Sequence, residues 1–137
     1  MSEHKPIRVR DVMKTHFDMV DGMDTVQTAL ENMIHVGTKS LIVKKRNEND
    51  ELGMVLLSDI ARQVLAVDRA PERVNIYEIM TKPVLTVSPE MDIRYCARMF
   101  NRFDLSRAPV VENGEVIGII SHTDMVLKGL CKKLAKK

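Results

Sequence analysis

The sequence predicts a mixed fold, α+β with α/β character, built from two β-α-β-β-α repeats related by a pseudo-twofold axis. Two recurrences lead to this reading. Asp11-Val12-Met13 returns as Glu78-Ile79-Met80, and Val26, Ala29, Leu30 and Met33 return as Ile93, Cys96, Ala97 and Phe100, all at an offset of 67. The run Gly53 to Ile60 returns as Gly118 to Met125 at an offset of 65. A period near half of a 137-residue chain marks a tandem pair of similar units. Such a pair, meeting face to face, would carry related clefts beside its axis, and function is expected there.

The elements follow in order. Residues 1–10 read as an N-terminal arm ending in the extended stretch Ile7-Arg8-Val9. The first repeat, 11–67, opens with a helical turn through Asp11 to Met13 and an extended segment ending near Val20. Asp21 stands where a helix N-cap is expected, before the periodic run Val26, Ala29, Leu30, Met33. Ser88-Pro89 reads the same way in the second repeat, since serine caps and proline suits the first helical position. A short apolar strand follows each helix, Leu41 to Val43 and Ala108 to Val111. Asn113-Gly114 predicts a tight hairpin, because both residues tolerate positive φ. The first repeat has a longer polar loop there, Arg46 to Glu51, which accounts for an offset falling from 68 to 65. After a second strand, Ser58-Asp59 or Thr123-Asp124 opens a helix. Residues 68–75 form a linker broken by Pro71, the second repeat spans 76–132, and 133–137 are a basic tail. The last helix runs out through Lys128, Lys132 and Lys133 to Lys136 and Lys137.

Composition narrows the function classes. Apolar residues make up 45% and charged residues 29%, an ordinary globular balance large enough for a real core. A net charge of +2 provides no global electrostatic case for nucleic acid or membrane binding. No apolar run is long enough to span a bilayer, and the start, Met-Ser-Glu-His-Lys-Pro, does not read as a secretory signal. Two isolated cysteines form neither a disulfide framework nor a metal-ligand spacing, so a reduced, cytoplasmic setting is expected. The histidines at 4, 16, 35 and 122 show no ligand spacing either, and no metal site is predicted. Ten methionines are many, but Met33, Met99 and Met125 sit where helix packing needs them. The lysine-rich end reads as a solvated helix terminus opposing the dipole's negative pole, not as a nucleic-acid arm.

The ordered unit Asp-Val-Met, Val-x-x-Ala-Leu-x-x-Met, an apolar strand and Gly-x-x-x-x-Ser-Asp-Ile, present in two copies over roughly residues 8–132, resembles a cystathionine-β-synthase (CBS) domain pair, or Bateman module. The resemblance implies a stand-alone regulatory module with its two sheets packed together, helices outside and two clefts between the repeats. Those clefts commonly hold an adenosine-containing ligand: AMP, ADP, ATP or S-adenosylmethionine. No cofactor is required; the adenine nucleotide is a regulatory ligand. Homodimerisation through the helices, and signalling by conformational change to a regulated partner protein, are further implications.

Ser121-His122-Thr123-Asp124 lies at a strand-to-helix junction, where unpaired N–H groups and the helix dipole favour an anion. The hydroxyls of Ser121 and Thr123 would add phosphate donors. A carboxylate there would repel phosphate, so Asp124 should face hydroxyls; the resemblance likewise implies an aspartate–ribose contact. Arg107 precedes Pro109 at the strand mouth, and Lys39, at an offset of 68, is read as its counterpart. Two such cations close together favour an anion between them. The main cleft is thus assigned Asp124, Thr123, Ser121, Arg107, Lys39 and Thr38, with His16, Phe17, Asp18 and Met19 alongside. Leu56 replaces the hydroxyl of Ser121 in the first repeat. The second cleft, formed by Asp59, Ser58, Ser106 and Pro83, Val84 and Leu85 in the segment to Thr86, is therefore expected to be weaker or empty. Adenine would lie against apolar walls including Val84 or Phe17. His122, beside the phosphate site, could make binding pH-dependent, although a surface histidine is the simpler reading.

Paired acid and base, activated nucleophile and metal cluster are all missing at plausible spacing, so catalysis is not expected. The reading is a nucleotide-sensing module. The alternative is a ligand-free structural or dimerisation module with vestigial clefts, which Leu56 favours in one repeat.

Overall fold

The computed structural model describes residues 5–131. In chain order they form α1 (Val9–Val12), β1 (Met19–Val20), α2 (Val26–Glu31), β2 (Ser40–Val43), β3 (Gly53–Leu56), α3 (Leu57–Ile60), α4 (Ile93–Phe103), β4 (Arg107–Glu112), β5 (Glu115–Ser121) and α5 (His122–Asp124). Helix α3 continues as a π-helical stretch, Ala61–Leu65, and α5 as another, Met125–Leu130. The chain divides into two compact units. A continuous unit holds residues 17–84, and a composite unit joins the N-terminal segment through His16 to the residues from Leu85 onward. Lys132, Lys133, Lys136, Lys137 and His4 lie outside the described residues.

In the continuous unit β1 runs parallel to β2, with Met19 opposite Ile42, and β2 is antiparallel to β3, with Ser40 opposite Leu56. The composite unit pairs β4 with β5 antiparallel, Arg107 opposite Ser121, and Val87 bridges Val110 in parallel. The strands predicted after each helix are therefore present, the one predicted before α4 is reduced to the single bridge at Val87, and the β4–β5 hairpin turns at Asn113 (φ 53°) and Gly114 (φ 81°). Positive φ at both residues is the demand of a type I′ turn.

The helix starts lie four residues later than predicted. Thr25, whose side chain accepts from the Thr28 N–H, caps α2, and Asp92, accepting from the Arg94 N–H, caps α4. Asp21 and Ser88 use their oxygens differently, accepting from the N–H two residues on, at Met23 (2.8 Å) and Glu90 (3.2 Å). Short polar side chains serve turns and caps by the same i-to-i+2 or i+3 bonds, and the sequence does not separate the two uses here.

Each unit has its own apolar core. Val26, Ala29, Leu41, Val43, Val55, Ile60 and Ile76 pack in the continuous unit; Val9, Val12, Cys96, Phe100, Ala108, Ile120 and Met125 pack in the composite one. Helix α4 contributes Cys96 and Phe100, one turn apart on a single stripe. Burial pushes the Cys96 thiol up to about 11, the mark of an inert core cysteine. Met33 and Met99 pack on the core edges as expected.

The cores show that the leading turns are exchanged relative to the repeats. The Ile93 N–H at the start of α4 donates to the Ile7 carbonyl (2.9 Å), and the Val26 N–H at the start of α2 donates to the Val74 carbonyl (2.8 Å). Lys14 and Ile119 exchange two backbone hydrogen bonds; so do Thr81 and Met54. The opening turn of one repeat thus completes the body of the other, whereas the sequence reading joined each turn to the helix that follows it. The two copies share one pattern of apolar and polar positions, so pattern alone does not choose which body each turn joins. Among the described residues no helix is long and apolar enough to cross a membrane.

Candidate functional site

The residues with the most concentrated charge chemistry lie in the composite unit, where β5 ends and α5 begins. Ser121 and Asp124 form a reciprocal capping box. The Ser121 Oγ accepts from the Asp124 N–H (3.1 Å), and Asp124 Oδ2 accepts from the Ser121 N–H (3.1 Å) and hydroxyl (3.0 Å). Asp124 is 1% exposed, yet its second oxygen is engaged by cations: Lys14 Nζ lies at 2.5 Å from Oδ1 and Lys128 Nζ at 3.7 Å. Arg107, half-buried beside them, has its guanidinium pulled down by burial, with the Asp124 charge opposing that shift. Its Nε donates to the Ser106 Oγ (3.3 Å), and the Ser106 carbonyl accepts from the His122 N–H (3.1 Å).

This geometry revises three features of the sequence reading. Two N–H groups of the first turn, at His122 and Asp124, already have partners within the unit, so the junction offers an anion fewer backbone donors than expected. The Ser121 hydroxyl is turned into the cap. Thr123 and His122 are exposed at the lip, leaving their side chains as the accessible polar groups there. Lys14 was missed. Its counterpart at an offset of 67 is Thr81, so the repeat draws no attention to it, and only the exchanged packing brings it to Asp124.

The pairing of Lys39 with Arg107 is also corrected. Strand register sets Ser40 opposite Leu56 and Arg107 opposite Ser121, which makes Ser40 the counterpart of Arg107. Lys39 corresponds to Ser106: its carbonyl accepts from the Leu57 N–H (3.0 Å) as that of Ser106 accepts from His122. The offset before the loop is therefore 67, and the extra loop residues lower it to 65.

Residues assigned to the main cleft divide between the units. Asp124, Ser121, Thr123, Arg107 and His16 lie in the composite unit, and Phe17, Asp18, Met19, Thr38 and Lys39 in the continuous one. The Asp18 carboxylate accepts from the Ile34 N–H (3.0 Å) and the His35 N–H (2.8 Å), tying down the loop after α2. Buried Thr38 donates to the His35 carbonyl (2.9 Å), and Lys39 follows exposed, in the left-handed region at φ 57°. Met19 is exposed at the strand edge, and Phe17 is half-buried. The second set divides as well. Asp59 Oδ2 accepts from the Leu56 N–H (2.9 Å) and Oδ1 from Arg62 (2.5 Å); Ser58 is exposed next to it. Pro83 and Val84 stay with Asp59 in the continuous unit, whereas Leu85 and Ser106 belong to the composite one.

Sequence, fold and site together define a tandem pair of similar units, each with its own core. The CBS domain profile matches residues 9–66 and 76–129, and the chain belongs to the CBS domain family. Among relatives, a mitochondrial CBS domain-containing protein of Arabidopsis thaliana is 27% identical over 128 residues, covering 86% of this chain and 62% of its own length. The chain spans 57% and 23% of two other curated relatives. A hexameric CBS-CP12 protein from bloom-forming cyanobacteria superposes with a TM-score of 0.86 at 32% identity, over 97% of this chain and 76% of that one. A CBS domain pair solved with 5′-methylthioadenosine and S-adenosylmethionine has a TM-score of 0.76 at 24% identity, over 94% of this chain and all of that one, a likeness of fold.

Proposed function

We propose that this CBS pair senses an adenosine-containing anion at the Asp124 site and passes the binding state to a partner protein by a shift in conformation. The observation that carries the reading is the pair of ammonium groups, Lys14 and Lys128, on one buried carboxylate, with the Arg107 guanidinium close enough to feel its charge. Two ammonium groups sharing one carboxylate leave a surplus of positive charge, and the partly desolvated Arg107 guanidinium beside them adds to the attraction for an anion. Asp124 itself would act by holding Lys14 in place, with Thr123 at the lip as a hydroxyl donor. The ligands of the structurally similar pair set the range of compounds to try.

Calorimetry with AMP, ADP, ATP, S-adenosylmethionine and 5′-methylthioadenosine tests this. Binding of one phosphate- or carboxylate-bearing ligand is expected, weakened about tenfold or more in Lys14→Ala through loss of a charge-assisted contact. Heat released equally by wild type and Lys14→Ala would refute the site. No binding by any of the five would favour the ligand-free structural module.

Self-association through the helices is part of the same proposal. Leu65 and Leu130, at the ends of the π-helical stretches, are 77% and 82% exposed, and association through these helix ends would remove both side chains from water. Sedimentation at micromolar concentration is expected to show a dimer or higher species that Leu65→Lys with Leu130→Lys dissociates. A monomeric wild type would end this part of the reading.

A further inference from the structure

The continuous unit carries a second recess, of about 280 Å³, on the far end of β2 from Thr38 and Lys39, lined by residues including Met23, Lys44, Arg46, Tyr77, Met80 and Lys82. Three of its eight lining residues are cationic and the others are apolar, aromatic or glycine. Met23 is 66% exposed and Tyr77 50% exposed, so a thioether and an aromatic ring are presented to solvent side by side. Asp50 is the acid that answers the cations: it meets Lys82 at 2.6 Å and Arg46 at 3.6 Å. The Lys82 ammonium and the Arg46 N–H hold that carboxyl well below the usual range, so it stays charged at neutral pH. Lys44 has no acidic partner among the described residues, and the recess keeps a surplus of two positive charges over Asp50.

The corresponding place in the composite unit carries an ion-pair cluster instead. The Tyr77 N–H donates to the Gly22 carbonyl as the Arg10 N–H donates to that of Pro89, which makes Arg10 the counterpart of Tyr77 and Glu90 that of Met23. There Arg10 bridges Glu90 at 2.7 Å and Glu112 at 2.5 Å, and the charges are spent on one another. Where the composite unit has a self-satisfied ion-pair cluster, the continuous one has an aromatic ring, a thioether, two cations sharing Asp50 and a lysine, Lys44, with no acidic partner among the described residues.

We infer that this recess binds a small phosphomonoester with a flat apolar body, the ring lying on Tyr77 and Met23 and the phosphate on Lys44 and Arg46. A phosphomonoester carries close to two negative charges at neutral pH, which matches the surplus. Arg46 and Lys44 supply charge-assisted donors, and Tyr77 supplies a stacking face. The site is independent of the one around Asp124 and does not rest on its function.

Phenyl phosphate is the probe, titrated into the full chain by calorimetry and followed by amide chemical shifts, with inorganic phosphate and phenol as single-feature controls. Phenyl phosphate is expected to bind at least tenfold more tightly than either control and to shift the amides of Met23, Lys44 and Tyr77. Lys44→Ala, exposed and without a core role, is expected to weaken it about tenfold. Met23→Glu, which copies the acid of the composite unit, is expected to do the same, and Lys14→Ala to leave it unchanged. Equal binding of phenyl phosphate and inorganic phosphate would overturn the proposal, as would loss of binding in Lys14→Ala with Lys44→Ala unaffected. Failure of the Lys14→Ala test with adenosine ligands, alongside success here, would remove the first site and leave this one standing.

Discussion

Deleting residues 1–16 is expected to collapse the core of the composite unit, although the sequence marks ten of those residues as an arm. Val9 is fully buried and Val12 3% exposed, both within the cluster around Phe100 and Ile120. Burying each valine contributes about 1.5–3 kcal/mol, so the pair approaches the 5–15 kcal/mol that holds a whole domain folded. The deletion also removes the backbone partners of Met91, Pro89, Ile93 and Ile119. Amide hydrogen exchange is the measurement: protection in α4, β4 and β5 should be lost, and Val9→Asp should reproduce the loss by placing a charge in the core. Ile76, also fully buried, holds the matching position in the continuous unit. Ile76→Asp should therefore strip protection from α2, β2 and β3 instead. Unchanged exchange in α4 after the deletion would show that the leading turns are not exchanged.

Gly118→Ala is the second large effect. A Cβ built at Gly118 would stand 2.7 Å from the Lys14 carbonyl oxygen and 2.7 Å from Met13 Sδ. Met13 can rotate away, but the carbonyl belongs to the backbone pair joining Lys14 to Ile119 and cannot yield without breaking it. Overpacking of this kind costs about 1–3 kcal/mol, and more when backbone must move. The loss should reach the site as well, because the same displacement withdraws the Lys14 ammonium from Asp124. Gly53, in the matching position, meets Met80 Sδ at 3.1 Å and the Thr81 carbonyl at 3.2 Å, so Gly53→Ala should be milder. At Gly37 nothing lies within 4 Å, and Gly37→Ala should be close to neutral. Chemical denaturation of the three variants is expected to rank them 118, 53, 37 in order of lost stability. A Gly118→Ala protein as stable as Gly37→Ala would contradict the close approach of the two segments.

Much of the architecture was legible because it is written in local terms. The apolar stripe of α4, the short strands after each helix and the Asn113-Gly114 turn depend on residues within a few positions of one another. The helix starts were misjudged by one turn because Asp21 and Ser88 carry the chemistry of a cap and use it in a turn, while Thr25 and Asp92 do the capping. Site residues were legible as types rather than as partners. Asp124 with Ser121 stood out as a junction, and the structure shows those two groups satisfying each other. Lys14 carries no signal, since nothing in its own neighbourhood points to a residue more than a hundred positions away.

The sequence by itself determined that this protein is a tandem CBS pair, because two copies of one pattern specify the same local elements twice. Tertiary structure decided which copy each leading turn completes, since both turns carry the same apolar pattern and the choice depends on how the chain returns in space. It also decided which cations gather on Asp124 and which side chains line the recess at Tyr77. Those are outcomes of long-range packing, where single differences between the copies, Lys14 for Thr81 or Met23 for Glu90, set the charge that each site is left with.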